Sequence, residues 1–289
     1  MSVVSRTIRT SHADIAISET SGRKLPVLLI HGNSASKQCF GKQLESDLGE
    51  AFRLIAVDLP GHGESSDAFD PKRTYTLPGY ADAMVELLAA LAIERAAVLG
   101  WSLGGHVALE LLPRFPGLVG VMIAGAPPVG RTPEEILAGF RPNPDVALTG
   151  KPDLTREDVE TFARAIFGEP VDEAMRQAVV RADGRARATM FASLFAGEVS
   201  DERALAINSA VPIAVVNGAD DPLVNVEYVG GLSYRNLWDK HCFVLRGAGH
   251  APFLRTPAAF NAIFLRFLND MAKRGDRPEA RKSSATAAA

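Results

Sequence analysis

The segment VLGWSLGGHVALELL, residues 98–112, places a single serine, Ser102, between Gly100 and Gly104. The apolar run at residues 96–99 is typical of a buried strand, and residues 104–115 have the apolar spacing of a helix. A GxSxG pattern alone is also compatible with a glycine-rich turn capped by the serine. The strand before it and the helix after it favour a sharp, strained turn that lifts the serine hydroxyl above a sheet. We therefore predict that Ser102 is a nucleophile.

Further short apolar runs along the chain predict a mostly parallel sheet. They occupy residues 27–30, 54–57, 119–124, 213–216 and 242–245, and their continuous apolar character is typical of strands buried on both faces. Residues 3–10 and 14–20 predict an antiparallel pair that opens the fold. Helical patterns at residues 79–93, 104–115 and 257–271 alternate with these strands. The alternation predicts an α/β fold in which helices flank the sheet.

The segment at residues 131–209 interrupts this alternation. It is charged, contains helix-like stretches at residues 156–166 and 172–180, and has no convincing strand. We interpret it as a helical cap inserted over the carboxyl edge of the sheet, so that residues 1–130 and 210–273 form the core domain. The polar, low-complexity tail at residues 274–289 is predicted to be disordered.

Composition limits the classes of partner. The 289 residues carry a net charge of -3 and are 47% hydrophobic, which gives no electrostatic reason to expect nucleic acid or an anionic membrane. We find neither a signal peptide nor an apolar run of about 18 residues that would span a bilayer, so we predict a cytoplasmic protein with a small-molecule substrate. The two cysteines, Cys39 and Cys242, lie in no metal-ligand spacing, and we expect no metal and no cofactor.

A serine nucleophile needs a base and a group that orients the base. The run PIAVVNGADDPLV places Asp220 and Asp221 directly after a predicted strand, and HCFVLRGAGHAPF places His250 after the next one. Carboxyl ends of parallel strands meet at one sheet edge, so these side chains are expected near Ser102. We prefer Asp221 as the acid because it stands before Pro222, and Asp220 remains the alternative as a turn residue. His12, His106 and His241 are interpreted as structural or solvated.

The developing oxyanion requires two preset N–H donors. Leu103 directly follows the nucleophile, and the loop after the third strand, VLLIHGNSAS, offers the backbone N–H of Asn33. We interpret His31 in this loop as an orienting residue and not as the base. It is also a candidate for substrate contact, together with Trp101.

The motifs IHGN, DLPGHG, GWSLGG, NGADDP and GAGHAPF, in this order, resemble those of the α/β-hydrolases over about residues 20–272. Further segments, such as HGNSAS, YADAMVELL, GAPPV, DGRAR and IAVVNG, are similar to the N-acyl-homoserine lactonases of that fold, which destroy bacterial quorum-sensing signals. The resemblance implies an α/β-hydrolase fold with Ser102 as nucleophile, His250 as base and Asp221 as acid. The oxyanion would then be held at Asn33 and Leu103.

The resemblance implies a serine hydrolase that opens the lactone ring through an acyl-enzyme. The cap would bury the acyl chain with apolar side chains such as Phe140, Phe162, Ile166, Phe191 and Phe195, although packing within the cap is the default interpretation for most of them. Two departures from the family pattern concern the acid, which is a glutamate in some lactonases, and Phe162, which stands where a tyrosine able to bond the lactone is expected. A general carboxylesterase remains an alternative, and so does a receptor that turns its ligand over slowly.

Overall fold

The predicted strands form one eight-stranded sheet in the computed structural model, which describes residues 2–275. The strands are β1 (Val3–Arg9), β2 (Asp14–Thr20), β3 (Lys24–Ile30), β4 (Phe52–Val57), β5 (Ala96–Trp101), β6 (Leu118–Ala124), β7 (Ile213–Gly218) and β8 (Phe243–Leu245). Their order in the sheet is β1-β2-β4-β3-β5-β6-β7-β8. Strand β2 is antiparallel to β1 and to β4, and all the other neighbours are parallel.

Helices flank this sheet. Some of them lie between β6 and β7 along the chain, and the others, including the first and the last, lie outside that region. The helices are α1 (Gly41–Leu44), α2 (Asp47–Ala51), α3 (Pro71–Thr74), α4 (Leu77–Ala90), α5 (Leu103–Glu110), α6 (Pro133–Ala138), α7 (Arg156–Phe167), α8 (Glu173–Arg181), α9 (Gly184–Phe195), α10 (Glu202–Asn208), α11 (Val226–Gly231), α12 (Pro252–Arg255) and α13 (Pro257–Gly275). Three 3-10 segments, Lys37–Phe40, Pro144–Thr149 and Trp238–Lys240, complete the secondary structure that is described.

The alternation of side chains along each central strand creates a core on both faces of the sheet. In β3, Leu28 and Ile30 join one buried cluster, whereas Val27 and Leu29 join the other. Because successive side chains of a strand point to opposite faces, a strand that is apolar at every position is covered by helices on both sides. The doubly covered sheet predicted from the sequence is therefore confirmed for the central strands.

Strand β8 departs from this prediction. Its residues are only half-buried or exposed, and Val244 is 46% exposed. The reason is its place at the end of the sheet, where β7 is the only strand that pairs with it. An apolar run of three or four residues does not distinguish such an edge strand from a central one.

The helices α6 to α10 all lie between β6 and β7, and they contact the loops that follow β3 and β4. The N–H of Asp183 donates to the carbonyl of Gly61 at 2.8 Å, and the Asn33 side chain donates to the carbonyl of Thr149 at 2.8 Å. The Tyr75 hydroxyl donates to the Asp183 carboxylate at 2.7 Å. These bonds attach the helical insertion to the carboxyl ends of the parallel strands.

Two sequence predictions concern the end of the chain and the membrane. Of the tail predicted to be disordered, residues 274–275 belong to α13, and residues 276–289 lie outside the described part of the chain. Among residues 2–275, no helix has both the length and the apolar character needed to cross a membrane.

Candidate active site

Ser102 occupies a strained turn between β5 and α5. Its backbone has φ 53° and ψ -121°, a left-handed φ that non-glycine residues rarely adopt. The strain is held by the packing of α5 against β3, because a Cβ on Gly104 would lie 2.1 Å from the carbonyl oxygen of Ile30. The Ser102 N–H also donates to the carbonyl of Ala124 at 2.9 Å. The turn predicted from the GxSxG pattern is thus present, with the serine half-buried at its tip.

Two residues with unpaired backbone N–H groups line the same cavity as Ser102. Helix α5 begins at Leu103, so the N–H of Leu103 has no partner within the helix. The N–H of Asn33, in the loop after β3, likewise donates to no other residue of the described chain. Asn33, Leu103 and Ser102 line one cavity together with His250. Neither N–H donates to another group of the described residues, and one lies at a helix N-terminus, where a negatively charged oxygen is stabilised.

Asp221 and His250 form a buried pair. The Nδ1 atom of His250 lies 2.9 Å and 3.2 Å from the two carboxylate oxygens of Asp221. The carboxylate also accepts from the N–H groups of Leu223 and Val224, at 2.8 and 3.0 Å. Burial pushes the pKa of Asp221 upward, but the His250 ring and the two N–H groups bring this pKa below its ordinary value. Asp220, the alternative acid, is exposed.

The imidazole of His250 is fixed on several sides. Its ring packs against Trp101, whose indole N–H donates to the His250 carbonyl at 2.8 Å. Gly125, at φ 59°, lies so close that a Cβ there would be 3.0 Å from the Cε1 of His250. The Nε2 of His250 is buried and has no hydrogen-bond partner among the described residues. Because the Asp221 carboxylate accepts the Nδ1 proton, Nε2 carries a lone pair that is available to a proton.

A chain of hydrogen bonds holds the loop that carries Asn33. Arg187 of α9 donates to the Ser34 hydroxyl at 3.1 Å, and this hydroxyl donates to the Asn33 side-chain oxygen at 3.1 Å. Arg187 is buried and also donates to the carbonyls of Lys151 and Pro152 at 2.8 and 2.7 Å. Burial lowers the pKa of Arg187. In the sequence, Arg187 stands out only as part of the DGRAR segment, because its partners lie far away along the chain.

The cavity beside Ser102 is polar at one end and apolar along the rest of its length. It has a volume of about 80 Å³, below the usual range of ligand pockets. Its apolar walls come mainly from α6, the segment after α6 and α9, and they include Ile136, Leu137, Phe140, Met190, Phe191, Leu194 and Phe195. Three of the aromatic side chains predicted to surround an acyl chain therefore do border the serine. The rings of Phe191 and Phe195 contact each other with centroids 4.7 Å apart.

The other candidates for substrate contact do not reach the wall of this cavity. His31, Trp101 and Phe162 are fully buried, and none of them lines the described cavity. The two ring nitrogens of His31 are bonded to the Gly32 carbonyl and to the N–H of Leu59, at 2.7 and 3.0 Å. Phe162 and Ile166 belong to the buried cluster that contains Val27 and Leu29 of β3. These side chains stabilise the loops and the core around the site.

His106, which the sequence suggested to be structural or solvated, is buried, and it also lies on the wall of the cavity. Its Nδ1 lies 2.7 Å from the carboxylate of Glu202, which is fully buried. Glu202 stands on α10, 96 residues further along the chain, so sequence spacing could not bring the two together. Within residues 2–275, no group of three or more histidine, cysteine or acidic side chains is arranged to hold a metal ion.

Comparisons with known proteins relate this chain to ester hydrolases. The model of the alpha/beta hydrolase family matches residues 27–263. A solved structure of the N-acyl homoserine lactonase AidH, complexed with N-butanoyl homoserine, is 45% identical and has a TM-score of 0.90. The match covers 93% of this chain and 97% of AidH.

Two further relatives are more distant. The esterase RhEst1 from Rhodococcus sp. ECU1013 is 27% identical with a TM-score of 0.70, over 94% of this chain and 100% of RhEst1. The pimeloyl-[acyl-carrier protein] methyl ester esterase from Neisseria meningitidis serogroup C is 30% identical over 260 residues. That match covers 84% of this chain and 93% of the relative.

Proposed function

This chain belongs to the α/β-hydrolase family and hydrolyses ester bonds, and we propose that its substrates are N-acyl-homoserine lactones, the bacterial quorum-sensing signals. The observation that supports this proposal best is the cavity beside Ser102. A polar end with a serine, a histidine and two free N–H groups suits a lactone, and the apolar walls suit an acyl chain. The 45% identity to AidH points to the same substrate class.

In the proposed reaction, Ser102, His250 and Asp221 act as a catalytic triad. The Nε2 of His250 removes the proton of the Ser102 hydroxyl while its oxygen attacks the lactone carbonyl. Negative charge then develops on the carbonyl oxygen, where the N–H groups of Asn33 and Leu103 stabilise it. The Asp221 carboxylate keeps the proton on Nδ1 and stabilises the imidazolium.

Collapse of this tetrahedral intermediate breaks the ring C–O bond, and His250 returns its proton to the alkoxide. The alcohol stays tethered because the broken bond was part of a ring, so the acyl-enzyme retains the whole opened molecule. A water molecule, deprotonated by His250, then attacks the acyl-enzyme and releases N-acyl-homoserine. The apolar walls contributed by Phe140, Phe191 and Phe195 would hold the acyl chain through both steps.

A comparison of rates on matched substrates tests the proposed substrate class. We expect kcat/KM for N-hexanoyl-homoserine lactone to exceed kcat/KM for the methyl ester of N-hexanoylglycine, which has the same acyl amide and an open ester. A lactone that is hydrolysed much more slowly than this open ester would contradict the proposal. Since the two compounds share the acyl chain, the ratio reports recognition of the lactone ring.

A general carboxylesterase is the second candidate, and the similarity to RhEst1 and to the pimeloyl methyl ester esterases favours it. Such an enzyme would use the same triad on open-chain esters. The comparison above separates the two candidates, because a carboxylesterase has no reason to prefer the ring.

A further inference from the structure

His106 brings a polar ring nitrogen to the wall of the cavity. His106 lies on α5 four residues after Ser102, and its backbone N–H donates to the backbone carbonyl of Ser102 at 3.2 Å. The ring packs against Phe140, with centroids 6.3 Å apart, and His106 is 7% exposed. Both His106 and Phe140 line the cavity that contains the serine. The imidazole therefore lies on the wall of the cavity in which the acyl chain of a substrate is proposed to lie.

Glu202 sets the tautomer of this imidazole. Its Oε2 lies 2.7 Å from Nδ1 of His106, and its Oε1 is buried without a partner in the described chain. Burial raises the pKa of Glu202, and the nearby His106 ring opposes this increase. The contact between Oε2 and Nδ1 pairs a carboxylate acceptor with the N–H of the Nδ1 tautomer. In this tautomer, Nε2 carries a lone pair and accepts a hydrogen bond.

The other polar side chains on the cavity wall already have partners or a role in the proposed reaction. The amide of Asn33 donates to the Thr149 carbonyl, and the Thr149 hydroxyl donates to the carbonyl of Val146 at 2.6 Å. Ser102 and His250 carry the chemistry. The Nε2 of His106 makes no hydrogen bond within residues 2–275, although it is not among the polar atoms that are sealed from the surface. This nitrogen is therefore a hydrogen-bond acceptor that neither the fold nor the proposed reaction uses.

We propose that His106 Nε2 accepts a hydrogen bond from a hydroxyl at position 3 of the acyl chain, so that 3-hydroxyacyl-homoserine lactones are the preferred substrates. This inference rests on the proposed function. Four residues of helix rise about 6 Å, and an extended chain from the scissile carbonyl carbon through the amide to position 3 also spans about 6 Å. A 3-oxo group has no proton to donate, and an unsubstituted chain has no polar group at this position.

The test compares kcat/KM of the unaltered enzyme for four N-hexanoyl-homoserine lactones: unsubstituted, 3-oxo and each enantiomer of 3-hydroxy. We expect one 3-hydroxy enantiomer to be hydrolysed with a kcat/KM about fivefold above that of the unsubstituted lactone, which is the effect of one net hydrogen bond. The 3-oxo compound should show no such gain. A preference for 3-oxo over 3-hydroxy, or equal values for all four compounds, would overturn the inference.

Two variants assign the preference to one atom. In His106→Asn, the amide nitrogen can still donate to Glu202 from the position of Nδ1, but no atom stands at the position of Nε2. The ratio of 3-hydroxy to unsubstituted kcat/KM should fall to about one or below, because the hydroxyl is buried without a partner. In His106→Gln, the side-chain oxygen reaches the Nε2 position, and part of the preference should return. A preference that persists in His106→Asn would refute the role of Nε2.

Phenyl esters of N-hexanoylglycine and N-(3-hydroxyhexanoyl)glycine separate this inference from the proposed function. They keep the amide and the spacing to position 3 but contain no lactone ring. Failure to hydrolyse any lactone, together with a hydroxyl preference on these esters that His106→Asn removes, would refute the lactonase proposal and support the role of His106. Hydrolysis of lactones without a hydroxyl preference would do the reverse.

Discussion

Asp220 and Asp221 are adjacent and chemically identical, yet only Asp221 is buried against the imidazole of His250. We expect Asp221→Asn to lower kcat by about four orders of magnitude, because an amide that donates to Nδ1 favours the tautomer whose Nε2 cannot accept the serine proton. Steady-state hydrolysis of N-hexanoyl-homoserine lactone measures the change.

Asp220→Asn is the matched control, since the exposed neighbour should tolerate the same change within about twofold. Equal losses in the two variants would show that the acid has been assigned to the wrong residue.

The residues of the proposed triad could be predicted because each of them follows a strand in a recognisable motif. Ser102, Asp221 and His250 come after β5, β7 and β8, and the carboxyl ends of parallel strands meet at one edge. His106 could not be assigned in this way. Its environment depends on Glu202, which α10 brings next to it from a distant part of the chain.

Helix α9 connects the proposed oxyanion hole to the helical insertion through Arg187. The guanidinium donates to three carbonyls and to the Ser34 hydroxyl, and no carboxylate within the described chain forms an ion pair with it. Ser34 itself has a φ of 54°, an unfavourable conformation for a serine. The bonds from Arg187 therefore help to hold the Asn33 loop in the conformation that presents its N–H to the cavity.

We expect Arg187→Gln to lower kcat by about tenfold to a hundredfold and to change KM little, because a displaced oxyanion donor weakens the transition state more than the bound substrate. Kinetics and a thermal melt of the same preparation measure the effect and verify folding. Arg185→Gln, on the same helix, is the control: its side chain is 58% exposed and its ion pair with Asp183 contributes little. An unchanged kcat in Arg187→Gln would contradict this positioning role.

Secondary structure could be predicted from the sequence where a single hydrophobic pattern dominates a segment. The apolar runs of the central strands located β3 to β7 to within a few residues, since such runs are buried whatever covers them. The residues against which the helices of the insertion pack could not be predicted from the sequence. Apolar spacing indicates which face of α7 and α9 is buried, but only the tertiary arrangement places Phe162 in the core and Phe191 at the cavity.

Burial lowers the pKa of several histidines in the described domain, among them His12, and it does so most strongly for His31 and His62. Burial lowers the pKa of His31 to about 4 and the pKa of His62 to about 3, and their rings lie 5.2 Å apart beneath the proposed oxyanion loop. In the unfolded chain both groups take up protons below about pH 6.5. The unfolded state therefore binds more protons than the folded state between pH 6.5 and 4, and the stability falls as the pH decreases through this range.

We expect the free energy of unfolding to be about 2 kcal/mol lower at pH 5 than at pH 6, with each of the two histidines contributing about half. Urea denaturation at the two pH values measures the difference. In His62→Asn the difference should fall to about half, whereas the same change at the exposed His241 should leave it intact. A pH dependence that is the same in all three proteins would show that other groups cause it.

The central proposal is that this protein opens a lactone ring at Ser102. The products of a single incubation test it most directly. The protein and its Ser102→Ala variant are each incubated with N-hexanoyl-homoserine lactone, and the products are identified by mass spectrometry. We expect the unaltered protein to add one water to the lactone and leave the amide intact, and the variant to form no product above the uncatalysed background. Release of free hexanoic acid, or equal lactone opening by the variant, would contradict the proposed function.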